Sequence, residues 1–303
     1  MKTTTIYNHA FWNAMRGKKG AYNDMNEGKE SDGYIVPTEF NEKYQKALEK
    51  ENLFRRLATV VNTTSKDGTI HAVASTGVAE WVNESVAFPE SADTFRQFPV
   101  SSYKLASLSK IKEHFVNDND FNLEGYLENE FARRFGRSEE SAFINGDGIN
   151  EPTGILNATR GGEIGVTAEG STVLTYDEVI NLYFSLKPEH RRNAVWLMND
   201  ETAFKLRTLK DDHGNYLWNQ ADNTILGKPV EYSNYMPNMV SGEIPIAFGD
   251  FSYYNIGDRG TRSFAELKEL FAGNGLIGFV AKERVDGKLV LPEAVKILKI
   301  KVS

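Results

Sequence analysis

The sequence predicts an α+β fold, on a helical stripe, two segments of period two, and a stretch in which helices and short strands alternate. Leu123, Leu127, Phe131 and Phe135 recur every fourth position, which stacks them on one face of a helix running from Asn122 to Ala142. Ile70, Ala72 and Ala74 alternate with Thr69, His71 and Val73, and Tyr103, Leu105 and Ser107 alternate with Lys104, Ala106 and Leu108, as strands do. From Thr175 to Phe248 helical stripes and apolar strands follow one another in an α/β rhythm.

Size and composition narrow the function classes. A chain of 303 residues buries about 75% of its unfolded surface, enough for one large domain or two modest ones. A net charge of −7 opposes gripping a nucleic-acid backbone. The chain has no cysteine, which removes disulfides, thiolate metal sites and cysteine nucleophiles together. No apolar run approaches the roughly 20 residues that span a bilayer, and Met1 to Ile6 lacks the apolar core of a signal peptide.

Taken in order, residues 1–33 carry only Phe11, Trp12 and Met15 as an apolar group among glycines and charges, and predict an arm that orders where something else covers it. Thr38 fits a helix N-cap, and Phe40, Tyr44, Ala47, Leu48 and Leu53 form a stripe ending near Leu57. The interval between the two period-two segments holds Trp81, Val82, Val86, Phe88, Pro89 and Phe95, too many large apolar groups for a solvated loop. A hairpin standing alone is marginal in water, so this one leans on a neighbour, in the same chain or in another copy.

On the long helix, Glu130 meets Arg133 and Arg134 at spacings of three and four. Asn145 to Gly154 is rich in turn formers and predicts a tight connector, with strand-like Ile155 and Leu156 after it. Thr175 and Glu178 form a capping box for a helix stopped by Pro188, Val195–Met198 reads as a buried strand, and Asn199 caps the next helix. Strands at Gly227–Val230 and Ile244–Phe248 are bounded by proline and so predict sheet edges. Asp286 and Gly287 predict a hairpin turn joining Leu276–Arg284 to Leu289–Val290, and Ala294–Val302 predicts a closing strand.

Catalytic templates find little. Gly273, Gly275 and Gly278 match a dinucleotide fingerprint, but a β-rich run, Phe279 to Ala281, follows where a helix N-terminus is needed, and the segment reads as a turn. Asn145 and Asp147 hint at a calcium loop that Ile149 spoils, having no side-chain oxygen. The five histidines, His9, His71, His114, His190 and His213, lie in five different elements without ligand spacing. Asp211, Asp212 and His213 resemble an acid–base cluster but read as a helix terminus. Glu139 and Glu140 read as charges on a solvated helix face. No catalytic, cofactor-binding or metal residue is predicted.

The ordered set Gly33-Tyr34-Ile35-Val36-Pro37, Pro89-Glu90-Ser91, Phe143-Ile144-Asn145-Gly146-Asp147-Gly148 and Glu151-Pro152-Thr153-Gly154-Ile155 resembles the major capsid proteins of tailed bacteriophages, of the Hong Kong 97 fold. Trp196-Leu197-Met198-Asn199, Leu226-Gly227-Lys228-Pro229-Val230, Phe248-Gly249-Asp250 and Arg284-Val285-Asp286-Gly287 continue the likeness in the same order, so that it covers about residues 31–300. Each piece is short; their shared order is what is specific.

The resemblance implies an N-terminal arm or remnant of a scaffolding segment (residues 1–33), an arm and first helix (34–62), an extended hairpin loop lying over the adjacent subunit (63–102), a peripheral domain with a long spine helix (103–151 and 248–289) and an axial α/β domain (152–247 and 290–303). It implies a shell subunit that binds copies of itself as pentamers and hexamers around phage DNA, touched only non-specifically. Portal, scaffolding, protease and decoration proteins are further implied partners; no membrane and no cofactor is. The implied location is the virion, after assembly in the bacterial host cytoplasm. Trp81, Phe88, Phe95 and Glu90 are the expected subunit-interface residues, since large exposed apolar surface marks an interface. An encapsulin-type compartment shell is the alternative with the same fold, and an enzyme built on Asp211 to His213 is the third.

Two departures from the family pattern stand out. Some relatives weld neighbouring subunits through an isopeptide bond from a lysine just before the Pro-Glu-Ser triplet; here that position is Phe88, and no such bond is expected. Many relatives carry a scaffolding segment before the arm. The short stretch ahead of Gly33 implies that the segment is missing or that the sequence is a shortened or processed form.

Overall fold

Asn122 begins the long helix, its side-chain carbonyl accepting from Gly125 N–H, and the helix runs over Leu123–Asn145 with Leu123, Leu127, Phe131, Phe135 and Phe143 buried along the predicted face. The structure is a computed structural model. It describes residues 5–18, 29–30, 33–63, 69–75, 94–99, 102–118, 120–171, 174–211, 213–218, 223–260 and 262–302.

Two helices pack beside this spine. The first predicted helix starts at Thr38 itself, behind an extended Pro37, and breaks at Asn52 into Thr38–Glu51 and Leu53–Leu57. Asn52 is extended and its side-chain Oδ1 accepts from the N–H groups of Phe54 and Arg55, so one asparagine ends one helix and caps the next. The arm also contains a helix, Thr5–Met15. Its cover comes from the same chain: Phe11, Ala14 and Met15 are buried in one cluster with Phe40, Tyr44, Leu127, Phe131 and Phe264. Trp12 lies 5.2 Å from the Phe40 ring, and Arg16 donates to the backbone carbonyls of Val116, Asp118 and Phe121.

Under these helices lies a sheet ordered Lys29–Glu30, Gly33–Ile35, Ser263–Leu267, Leu276–Leu289, Tyr254–Arg259, Thr59–Thr63, with Tyr103–Lys112 also paired to Leu276–Leu289. The organising strand is Leu276–Leu289. Its first ten residues take Tyr103–Lys112 antiparallel on one side, Ser263–Leu267 lies on the other, and its last residues pair with Tyr254–Arg259.

A second sheet is ordered Glu163–Thr167, Val295–Lys299, Ile246–Gly249, Val195–Met198, Lys228–Tyr232, Thr224–Ile225. The capping box on Thr175 and Glu178 forms as expected at the start of Tyr176–Ser185, and Asn199 caps Asp200–Arg207 by accepting from Thr202 N–H. Trp196 stacks on Phe248 at 4.1 Å within this sheet's core. A third cluster joins the two sheets: Phe54 and Phe143 from the helices, Tyr254 and Val285 from the first sheet, Leu197, Ala247 and Val295 from the second.

Several expectations need correcting. Asp286 and Gly287 lie inside the continuous strand, opposite Gly257 and Ile256, and not in a hairpin turn. Glycine is needed there for close approach: a Cβ on Gly287 would overlap Tyr254 Oη and sit 2.9 Å from the Phe143 ring. Ile246–Gly249 is central and fully buried; Pro245 precedes the strand and so removes no ladder bond. Lys228–Tyr232 is likewise interior, shielded by the two-residue Thr224–Ile225. Ile155 and Leu156 form a turn, their N–H groups donating back to Phe143 and Ile144. Thr69–Ser75 pairs with Thr94–Pro99, so the two period-two segments are not partners.

Replacing Gly287 by Ala is expected to destabilise the chain by about 1–3 kcal/mol through overpacking against Tyr254 and Phe143. Thermal or urea unfolding of the variant measures this.

Candidate functional site

Charged side chains converge in the interior, where Leu53–Leu57, the spine helix and the first sheet meet. Arg55 points both edges of its guanidinium at carboxylates. Nε and Nη2 donate to Glu139 at 2.7 and 2.5 Å, and Nη1 and Nη2 donate to Asp258 at 2.7 and 2.8 Å. Asn52 Nδ2 also donates to Glu139, at 3.0 Å. Arg262 continues the chain of charges, donating to Asp258 at 3.3 Å and through Nε to Glu283 at 2.8 Å, with its guanidinium 4.9 Å from the Tyr44 ring centre.

Glu139 is 1% exposed and Glu140 is also buried, which corrects the solvated reading of this pair. Glu140 accepts from Leu53 N–H and Ser233 Oγ, tying the spine helix to a segment beyond the second sheet's strand Lys228–Tyr232. The signal for Glu139 was present in the sequence: 123, 127, 131, 135, 139 and 143 form one run at every fourth position, and Glu139 interrupts its apolar members. Arg55 carried no such signal, because its partners stand 84 and 203 residues away.

The electrostatics follow from counting. Two guanidiniums face three carboxylates, leaving one negative charge in excess inside the protein. Burial opposes the charge on Arg55, yet Glu139 and Asp258 outweigh it and hold the guanidinium ionised, its pKa well above the ordinary value. Burial likewise opposes ionisation of Asp258, and Arg55 and Arg262 overcome it, lowering its pKa. Glu283 takes the excess. Burial, followed by repulsion from Glu139, raises it to about 8 against the pull of Arg262, and its Oε1 is buried without a hydrogen-bond partner.

Of the expected interface residues, Trp81, Phe88 and Glu90 lie outside the described residues. Phe95 falls on Thr94–Pro99, in register with Val73. The structure therefore describes only the two paired strands, Thr69–Ser75 and Thr94–Pro99, at the ends of this interval. Exposed apolar side chains elsewhere include Phe184, Phe204 and Ile164, on two helices and an outer strand of the second-sheet region.

Asp211 and His213 do not make an acid–base pair. The Asp211 carboxylate accepts from the N–H groups of His213 and Asn215 and from Asn215 Nδ2, bonds that lower its pKa and hold a turn beyond the helix end at Arg207. Gly273 to Gly275 forms the expected turn, with Gly275 left-handed at φ 63°. Clefts of about 830 and 990 Å³ are lined largely by Lys, Arg and Glu side chains and are open to solvent, unlike an apolar ligand pocket. Among the described residues no helix is long and apolar enough to cross a membrane.

Comparison with known proteins adds a family. The model of the phage capsid family matches residues 32–300. The chain is similar to the capsid of a native GTA particle computed with C5 symmetry, at 29% identity and a TM-score of 0.67, over 82% of this chain and 89% of that one. The capsid of an empty GTA particle matches at 29% identity with a TM-score of 0.71, over the same shares of the two chains. A Gordonia phage Cozz chain shares the fold at 12% identity, with a TM-score of 0.60 over 84% of this chain and 87% of that one. No curated protein matches.

The raised Glu283 fixes a pH dependence. Between an unfolded value near 4.5 and the folded value of about 8 the native state holds a proton that the unfolded chain releases. This contribution to stability is fully present below pH 4.5 and lost as pH rises through 8. Unfolding free energies measured from pH 5 to 8 are expected to fall less steeply with pH in Glu283→Gln than in the parent.

Proposed function

Because the chain belongs to the phage capsid family, it is a major capsid shell protein, a virion component whose copies assemble into capsomers, and we propose that these are pentamers and hexamers closing an icosahedral or prolate head around phage DNA. The observation that carries this reading is the 29% identity to particle capsids along four-fifths of the chain, with the fold retained. An encapsulin-type compartment is not favoured, since the matching family model is of phage capsids and two GTA particle capsids are similar along four-fifths of the chain.

In this reading residues 63–102 form the extended loop, whose base is the Thr69–Ser75 and Thr94–Pro99 pair, and Trp81, Phe88, Phe95 and Glu90 meet a neighbouring subunit. Residues 103–151 and 248–289 make the peripheral domain, with the spine helix and the Leu276–Leu289 strand. Residues 152–247 and 290–303 make the axial domain around the second sheet, and residues 1–33 and 34–62 supply the arm and first helix. The role is structural and not enzymatic. Assembly takes place in the bacterial cytoplasm, with portal, scaffolding, protease or decoration proteins as further partners. An acidic chain of net charge −7 keeps contact with packaged DNA weak and non-specific.

Phe88 at the position of the welding lysine makes the shell noncovalent. Negative-stain images of the purified chain are expected to show rings or closed shells, and those shells boiled in detergent are expected to run as a single monomer band. A monodisperse monomer at high concentration contradicts assembly; a ladder of covalent oligomers contradicts the noncovalent shell.

A further inference from the structure

Two turns of the second-sheet region place a buried imidazole between the carboxylate of Glu189, its neighbour in sequence, and that of Glu293, far along the chain. Pro188 starts the short helical turn Pro188–Arg191 ahead of strand Val195–Met198, and Pro292 starts the turn Pro292–Ala294 ahead of strand Val295–Lys299. The two strands flank Ile246–Gly249, so the turns approach each other at one end of the sheet. His190 is 5% exposed, held edge-on against the Tyr253 ring at 5.3 Å, and its Nε2 has no hydrogen-bond partner. Glu189 Oε1 stands 3.5 Å and Glu293 Oε1 4.0 Å from that nitrogen. One donor atom from each of the three residues lies within 4.8 Å of the others.

We propose that Glu189, His190 and Glu293 bind one divalent transition-metal ion, zinc being the best fit. An imidazole nitrogen left unpartnered in the interior is costly, and a metal satisfies it. Tetrahedral zinc with bonds of 2.0–2.2 Å needs its ligand atoms about 3.3 Å apart, and the three here lie within 4.8 Å of one another, so the two glutamate side chains close the set by rotating inward. One imidazole with two carboxylates suits zinc and its neighbours in the first transition row; magnesium and calcium prefer oxygen alone. Lys187 Nζ donates to Glu293 Oε2 at 2.7 Å, which leaves Oε1 as the atom facing His190 and orients the carboxylate as outer-shell partners of metal ligands do. The half-exposed side of the site leaves a coordination position for water. Bound there, the ion braces the turns that lead into two strands of the second sheet.

The full-length chain, treated with chelator and dialysed, is titrated with zinc chloride by calorimetry, with magnesium chloride as the control. One zinc per chain is expected, with a rise in melting temperature that chelator reverses. Glu189→Gln, at a side chain that is 66% exposed, leaves the fold intact and is expected to weaken zinc binding about tenfold or more. His190→Gln is expected to abolish it, and cobalt substituted for zinc should give a visible d–d spectrum that His190→Gln loses. The proposal is overturned if zinc binds no better than magnesium, or if Glu189→Gln and Glu293→Gln both bind zinc as the parent does.

Discussion

A buried guanidinium costs several kcal/mol unless carboxylates meet it, and Arg55 is met by two, each gripped bidentately. That requirement fixes three elements at once. Leu53–Leu57 supplies the cation, the spine helix supplies Glu139, and the strand Tyr254–Arg259 supplies Asp258. None of the three can slide along another without stranding a charge. A buried ion pair is a weak source of net stability but a strict condition on register, which is the role the arrangement supports here.

Around that anchor the apolar clusters fall into place. Phe54, one residue before Arg55, lies 5.3 Å from Tyr254 and 6.0 Å from Phe143, in the cluster that also takes Leu197 and Val295 of the second sheet. The connector then holds the sheets close. Gly146 and Gly154 stand where a Cβ would collide with backbone oxygens of Pro152 and Ile144, and Gly154 N–H donates to Gly146 O at 2.9 Å. Tyr103 Oη donates to Gly148 O at 2.9 Å, so the strand leaving the hairpin region is tied to the same turn. A subunit braced in this way suits a shell, in which strain at one contact must pass through a rigid body to reach the next.

Much of the scaffold was legible because short-range periodicity dictates it. The stripe from Leu123 to Phe135, the capping box at Thr175 and the Asn199 cap all took shape as read. What escaped was set by distant residues. Asp286-Gly287 carries turn chemistry, yet Phe143 and Tyr254 crowd it from across the fold and hold it extended. Pro229 stands inside Lys228–Tyr232 and Pro245 just ahead of Ile246–Gly249, and neither marks a sheet edge, because a two-residue outer strand and the strand Val295–Lys299 lie beyond them. Residues 1–33 were poor in apolar groups, but Phe11 and Met15 needed only the Phe40 and Phe264 neighbourhood of the same chain. The family was legible in short motifs in a fixed order over residues 31–300, close to the 32–300 that the family model matches. The expected interface was legible only as surplus aromatic residues; Trp81, Phe88 and Glu90 lie outside the described residues, and Phe95 is described by its backbone.

Chemical denaturation of the chain carrying Arg55→Met tests the anchor most directly, with electron microscopy of the same material beside it. Removing the cation strands Glu139 and Asp258 in the interior, and a loss of about 3–5 kcal/mol with failure to form shells is expected. A variant that unfolds within about 0.5 kcal/mol of the parent and still assembles would contradict the dependence of this fold on Arg55.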